Sequence, residues 1–211
     1  MMKKGKATGI DGIPMEFYQK FDFAVDWLHE IYGEMKTKRQ MTETMRTSVI
    51  KLLFKKKDKK RIENYRPINL LTADYKIIAK MMTERMKTVL KYVIGPEQQG
   101  FISDGEILSS LLLIKEMIDY CDDEDIEAML IMMDFEKAYD RIDRQTMTDT
   151  MRAMNFGEDF IAKVELLYAD SMARVIVNGE MGEGFKTEGG VKAGVPAELP
   201  PLHHRAGTAG H

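Results

Sequence analysis

Residues 128–133 read Ala-Met-Leu-Ile-Met-Met, with nothing polar among them, and the next residue is Asp134. A run this short and this apolar fits a strand buried on both faces. Such a strand cannot stand alone, because its backbone N–H and C=O groups need neighbouring strands. The run therefore demands a sheet with cover on both sides. An acidic side chain at the C-terminal end of a buried strand is held by a rigid element, as a metal ligand must be. Taken by itself, Asp134 equally fits a plain strand end. The chain then becomes charged and amphipathic, through Phe135-Glu-Lys-Ala-Tyr139-Asp140-Arg-Ile-Asp143.

With 211 residues, the chain is long enough for one large domain or two small ones, and 44% hydrophobic content is ordinary for a globular protein. No apolar run is long enough to span a bilayer, and no leader-like segment follows the first residues. The single cysteine, Cys121, rules out an internal disulfide. It fits a reducing, intracellular setting, cytoplasm or nucleus. Formal net charge is −3, but its distribution is uneven. Residues 36–61 hold eleven Lys or Arg against two acids, Glu43 and Asp58, whereas residues 116–127 hold seven acids and no base. A concentrated basic block is the footprint of a phosphate-binding face. Its composition around Lys55-Lys-Lys-Asp-Lys-Lys-Arg61 also suits a solvated turn tip.

The remaining pattern alternates helices and strands. Phe21, Val25, Leu28, Ile31, Tyr32 and Met35 recur at helical spacing. Residues 48–54 read as a strand, and Pro67 holds Tyr65-Arg-Pro-Ile extended. Asp74 suits the N-cap of a long helix carrying Ile77, Ile78, Met81, Met82, Met86, Val89 and Leu90, stopped by Gly95-Pro96. Further helices are expected over residues 106–120, from Asp143 to Gly157 with Met147, Met151 and Met154 inward, and over residues 158–168. Asn178-Gly179 marks a hairpin turn. The 18 methionines read as soft core filling.

Several of these segments together resemble the reverse transcriptase region of non-LTR (LINE-type) retrotransposons. The run into Asp134-Phe-Glu-Lys-Ala-Tyr139-Asp140-Arg-Ile-Asp143 is similar to the family's motif A. Lys6-Ala-Thr-Gly-Ile-Asp-Gly-Ile-Pro14, Asn64-Tyr-Arg-Pro-Ile-Asn-Leu-Leu71, Tyr75-Lys-Ile-Ile-Ala-Lys80, Glu97-Gln-Gln-Gly-Phe101, Val175-Ile-Val-Asn-Gly179 and Gly190-Val-Lys-Ala-Gly-Val-Pro196 resemble its other blocks, in the family's order. The resemblance implies an α+β right-hand polymerase fold with fingers over residues 1–103 and a partial, antiparallel palm over 104–196. It implies a non-homologous tail over 197–211 and no thumb.

By the same resemblance, Asp134 is the catalytic carboxylate and metal ligand, with the Phe135 carbonyl as a second oxygen donor for Mg²⁺ or Mn²⁺. Tyr139 is the aromatic beneath the incoming sugar, though its position also suits a core aromatic. Arg66, on its proline-stiffened segment, faces the triphosphate, and Lys55 and Lys56 reach the triphosphate or the template backbone. Lys51, Lys57, Lys59, Lys60 and Arg61 face nucleic acid, and Tyr65 and Phe101 buttress that surface, though both positions equally suit core aromatics. Asp140 and Asp143 are structural, the latter as a helix cap. The implied partners are an RNA template, a DNA primer and deoxynucleoside triphosphates, with no membrane.

The chain also departs from the family. Ala193 stands where the family has Gln, and Ala-Glu-Leu-Pro-Pro-Leu-His-His follows Pro196 in place of the expected helix. The Tyr/Phe-x-Asp-Asp hairpin expected after motif B does not follow. Tyr168-Ala-Asp170-Ser171 precedes motif B and lacks the second Asp, so it is no substitute. The expectation is thus a reverse transcriptase truncated after motif B and inactive alone. The other readings are a group II intron-type reverse transcriptase, a non-catalytic nucleic-acid-binding remnant and an unstable pseudogene product.

Overall fold

The computed structural model describes residues 4–95, 107–134 and 141–190. Its helices are α1 (Met15–Lys20), α2 (Asp22–Lys38), α3 (Glu43–Arg46), α4 (Ala73–Val93), α5 (Ile107–Asp123), α6 (Arg144–Ala153) and α7 (Glu158–Tyr168). Its strands are β1 (Thr47–Phe54), β2 (Tyr65–Leu70), β3 (Met172–Val177) and β4 (Glu180–Lys186).

The core is helical, and α4 runs through it. Tyr75, Ile78, Ala79, Met82, Met86 and Leu90 lie at helical spacing and are all buried. This apolar stripe is what a 3.6-residue period presents to a core. It packs in one cluster with Leu28 and Met35 of α2, Met151 of α6, and Ile161, Val164 and Leu167 of α7. Each large apolar side chain so buried contributes about 1.5–3 kcal/mol. Six buried methionines belong to this cluster, which makes core filling their role here.

The expected helices form, with shifts at the ends. Thr72, not Asp74, is the N-cap of α4, and Asp74 sits in the first turn. Burial pushes the Asp74 carboxyl above its ordinary range, although the Tyr75 N–H donates to it at 2.6 Å. Asp143 does cap α6: its carboxylate accepts from the Thr146 N–H at 2.7 Å. That hydrogen bond holds the Asp143 carboxyl below the usual range. After α6 the left-handed residue is Asn155, with φ 61°, and Gly157 instead precedes α7 with φ −66°. Asn tolerates the left-handed region well enough to end a helix. In α2 the inward residues are Ala24, Leu28 and Met35, while Val25 and Ile31, and Phe21 at its N-cap, are exposed.

The four strands form one sheet in the order β2-β1-β3-β4. β1 pairs antiparallel with β2 and parallel with β3, and β3 pairs antiparallel with β4. The sheet is therefore mixed rather than wholly antiparallel. A parallel pair needs a crossover, and the long helical stretch between β1 and β3 supplies it. The β3–β4 turn has φ 53° at Asn178 and 88° at Gly179, the doubly positive form that Asn-Gly favours.

The segment at residues 6–14 docks on the start of α4. A Cβ on Gly9 would stand 2.5 Å from the Thr72 nitrogen and 2.8 Å from the Leu71 carbonyl carbon. Backbone cannot step aside as a flexible side chain can, so this position requires glycine. Gly33, inside α2, has nothing within 4 Å of such a Cβ.

Gly9→Ala is therefore expected to destabilise the chain by about 1–3 kcal/mol through overpacking. Gly33→Ala is expected to stabilise it by up to about 1 kcal/mol through helix propensity. Urea titrations of both variants give the check, and a neutral Gly9→Ala would place residues 6–14 away from Thr72.

Candidate catalytic carboxylate and nucleic-acid face

The basic segment forms an ordered strand–loop–strand. Phe54 pairs with Tyr65 at the last register position of β1 and β2, and the Lys55 N–H donates to the Asn64 carbonyl at 2.8 Å. The loop between them is closed by its own polar groups. Asp58 accepts from the Lys60 N–H at 2.9 Å, the Asn64 amide donates to the Asp58 carbonyl at 2.8 Å, and the Tyr65 hydroxyl donates to the Lys59 carbonyl at 3.0 Å. Phe54 and Tyr65 meet edge to face at 5.5 Å, and the Lys59 ammonium lies over the Phe54 ring.

These bonds leave the cations outward. Lys51, Lys55, Lys56, Lys57, Lys59, Lys60, Arg61 and Arg66 are all exposed. Arg61 reaches Glu63 at 3.6 Å. Lys57 adopts φ 74°, which turns the chain at the tip. Tyr65 thus buttresses the loop as expected. Arg66 lies across from Leu53 and Lys51 across from Ile68, so both cations belong to one face of the sheet.

Asp134 is not where a buried strand would hold it. Residues 126–134 have no regular secondary structure and all are exposed. Met129 and Met132 are 84% and 85% exposed. The expected buried strand does not form: among the described residues the sheet consists of β1 to β4, and this run pairs with none of them. Instead the segment folds back on α5, where the Ile126 N–H donates to the Cys121 carbonyl at 2.8 Å. Phe135, Tyr139 and Asp140 lie outside the described residues, as do Phe101 and Ala193.

A literal Tyr-x-Asp-Asp does occur earlier, as Tyr120-Cys-Asp122-Asp123. It is not a source of catalytic carboxylates, because it forms the last turn of α5 rather than a hairpin tip. Among the described residues no three His, Cys, Asp or Glu side chains gather into a metal-binding group. One exposed carboxylate does not fit a two-ion centre, since Mg²⁺ gives up its water reluctantly and needs fixed oxygen ligands.

The structure does bring Ile142, near the end of the Asp134–Asp143 run, to Gly190, the start of the 190–196 block. The Gly190 N–H donates to the Ile142 carbonyl at 3.0 Å. Arg144 secures the junction, donating to the Tyr168 carbonyl at 3.0 Å and to the Gly189 carbonyl at 3.4 Å while lying over the Tyr168 ring. Burial pushes the Tyr168 hydroxyl up to about 12. Ser171 closes the turn by donating to the same Tyr168 carbonyl at 2.8 Å. Sequence alone holds no signal for Arg144, because its partners are carbonyls distant in the chain.

The mixed α/β architecture and the collinear blocks fit a reverse transcriptase domain. The family model that matches, over residues 54–197, is described as reverse transcriptase (RNA-dependent DNA polymerase). The chain belongs to that family. It is 32% identical to the uncharacterized 149 kDa protein of transposon TX1 from Xenopus laevis over 197 residues, 93% of this chain and 15% of that protein. It is 22% identical to the retrovirus-related Pol polyprotein from the type-2 retrotransposable element R2DM of Drosophila melanogaster over 143 residues, 68% of this chain and 13% of that protein. These relatives place it with reverse transcriptase domains of non-LTR elements, and it spans about 15% of the longer match. Among the described residues no helix is long and apolar enough to cross a membrane.

The exposure of residues 126–134 makes a direct prediction. Met129→Lys with Ile131→Lys is expected to leave the melting temperature of the 211-residue chain unchanged and to lower its binding of a hydrophobic dye. A large drop in melting temperature would show that this run is buried after all.

Proposed function

We infer that this chain provides the fingers (residues 1–103) and part of the palm (104–196) of an RNA-directed DNA polymerase from a non-LTR retrotransposon. The reaction is RNA-templated addition of deoxynucleotides to a DNA 3′ end. The observation that carries this reading is the family match over residues 54–197, which includes both the basic loop and Asp134. In this reading Asp134 and the Phe135 carbonyl would hold Mg²⁺ or Mn²⁺ once further carboxylates complete the site, and Tyr139 lies beneath the incoming sugar. Arg66, Lys55 and Lys56 meet the triphosphate, a role suited to a planar guanidinium on a stiff strand. Lys51, Lys57, Lys59, Lys60 and Arg61 meet the template or primer backbone. A divalent ion bound there would supply neutralisation of the charge that develops on the transferred phosphoryl group. The protein's own contribution is to position the phosphates from the side opposite Asp134.

A second reading, a nucleic-acid-binding module without catalysis, is favoured by the exposed setting of Asp134. The two separate experimentally. The 211-residue chain is expected to show no template-directed incorporation on a primed RNA template. A chimera that adds a family motif B, a Tyr-x-Asp-Asp hairpin and a thumb is expected to recover activity, and Asp134→Ala is expected to lower it by at least about tenfold, the equivalent of about 1.4 kcal/mol. Primer extension by the unmodified chain, lost in Asp134→Ala, would overturn the inactive reading. An active chimera indifferent to Asp134→Ala would overturn the assignment of Asp134.

Binding is the property both readings share. Association with single-stranded RNA or an RNA–DNA duplex is expected to be independent of sequence and steeply dependent on salt. Each neutralised phosphate contributes a log–log slope of roughly −0.7 to −0.9. Replacing Lys55, Lys56 and Lys57 with Gln is expected to flatten the slope accordingly, and an unchanged slope would put the phosphate-binding groups elsewhere.

A further inference from the structure

A cleft of about 570 Å³ opens at the end of the sheet away from the basic loop, and its walls include Arg46, Arg174 and Lys186. The polymerase chemistry proposed for Asp134 and the basic loop does not use these three residues. Arg46 ends α3, immediately before β1, and its buried Nε has no hydrogen-bond partner among the described residues. Arg174 lies in β3 and Lys186 ends β4, both exposed. No described carboxylate forms an ion pair with any of the three.

Strand register connects this cleft to the loop. Lys51 is the partner of Ile68 and Ile176, Arg174 of Val49 and Gly184, and Lys186 of Met172. Side chains alternate between faces along a strand, and directly opposed residues share one. Arg66, Lys51, Arg174 and Lys186 therefore lie on the same face, which crosses all four strands. The described strands contain two acids, Glu180 and Glu183. Glu180 pairs with Val177, on the other face, and Glu183 lies at the irregularity opposite β3. Gly184 adds no side chain to the cationic face. A Cβ there would stand 3.5 Å from the Arg174 Nε and 3.4 Å from the terminal methyl of Met172.

We propose that the cleft of Arg46, Arg174 and Lys186 is a second phosphate subsite, and that a single nucleic-acid strand runs across the sheet from the basic loop into it. Three strand spacings separate β2 from β4, roughly 14 Å, and the offset from the level of Leu53 (opposite Arg66) to that of Thr47 (level with Met172 and Lys186) adds roughly 20 Å along the strands. The diagonal of roughly 24 Å spans about seven phosphates at roughly 3.4 Å of axis each. Arginine suits the site because its planar fork meets two phosphate oxygens at once. Glu43 and Asp170 also line the cleft, just ahead of β1 and β3. They repel a polyanion at that rim and confine its path to the face. The inference rests on the nucleic-acid reading and adds a place and a direction to it.

The test is the salt dependence of binding a labelled oligoribonucleotide to the 211-residue chain. Arg174→Gln with Lys186→Gln changes two exposed side chains, so the variant is expected to keep the wild-type melt. Its slope is expected to be shallower by roughly 0.7 to 0.9 for each phosphate no longer neutralised, in addition to the effect of the Lys55, Lys56 and Lys57 replacements. A dinucleotide, too short to reach both sites, is expected to respond to only one of the two sets of replacements. Lys115→Gln, on α5, is expected to bind like the wild type. If the loop variant flattens the slope and the cleft variant does not, the second subsite is wrong while the binding reading stands. If the wild-type chain binds no oligonucleotide, both fall.

Discussion

The buried hydrogen bond from the Tyr75 hydroxyl to the Leu167 carbonyl, at 3.1 Å, locks the two parts of the chain together. Tyr75 stands near the start of α4 and is 1% exposed, and burial pushes its hydroxyl well above the usual range. Leu167 lies in the last turn of α7, where carbonyls have no partner within the helix. Leaving that carbonyl unpaired in the core would cost about 1–3 kcal/mol. The bond thus fixes where α7 ends. Tyr168, the next residue, has its carbonyl held by Arg144 and Ser171, and β3 begins at Met172. There the Ser48 hydroxyl donates to the Met172 carbonyl at 3.2 Å, at the start of the parallel pairing of β1 with β3.

Residues 126–134 show the opposite case, a segment whose chemistry demands partners that the described structure does not give it. An apolar strand joins a sheet only if an edge offers matching N–H and C=O groups on a surface that also covers its side chains. Here β2 and β4 form the edges, and both carry polar or glycine positions. The segment instead borrows cover from α5, with a cleft of about 220 Å³ between Ile114, Met117 and Ile118 of the helix and Ala128, Met129 and Leu130. That cover is thin. Leu111, Leu112 and Met117 of α5 remain half exposed or more. Burial in a strand is a property of the neighbours as much as of the run itself.

Local patterns are readable from sequence where local chemistry decides them. The period of α4, the Asp143 cap, the Asn-Gly turn and the span of α7 all rest on residues within one or two turns of each other. Family membership is readable too, since it rests on the order of blocks. What sequence does not reveal depends on distant groups. Asp74 reads as a cap, but the approach of Gly9 to Leu71 and Thr72 sets the entry to α4 earlier in the chain. The parallel pairing of β1 with β3 bridges more than a hundred residues, and no pattern in either strand announces it. Arg144 is an ordinary helix residue until its carbonyl partners at Tyr168 and Gly189 are known. Lys51 and Arg66 stand out because they sit in or near a dense basic block, whereas Arg174 and Lys186 are isolated in sequence and become neighbours only through the sheet.

That last contrast explains how a chain with a formal net charge of −3 can present a surface for a polyanion. At physiological ionic strength the Debye length is about 8 Å, so exposed charges further apart than this act largely independently. A phosphate at the sheet responds to the charges beside it, not to the total. The acids of residues 116–127 belong to the end of α5 and the turn after it, outside the sheet, where they do not share strand positions with the cations. Within the sheet the alternation of side chains does the sorting: Lys51, Arg66, Arg174 and Lys186 fall on one side and Glu180 on the other. A shift of β3 by one residue would turn Arg174 to the opposite face and break the track. The electrostatic character of this surface is therefore a consequence of register.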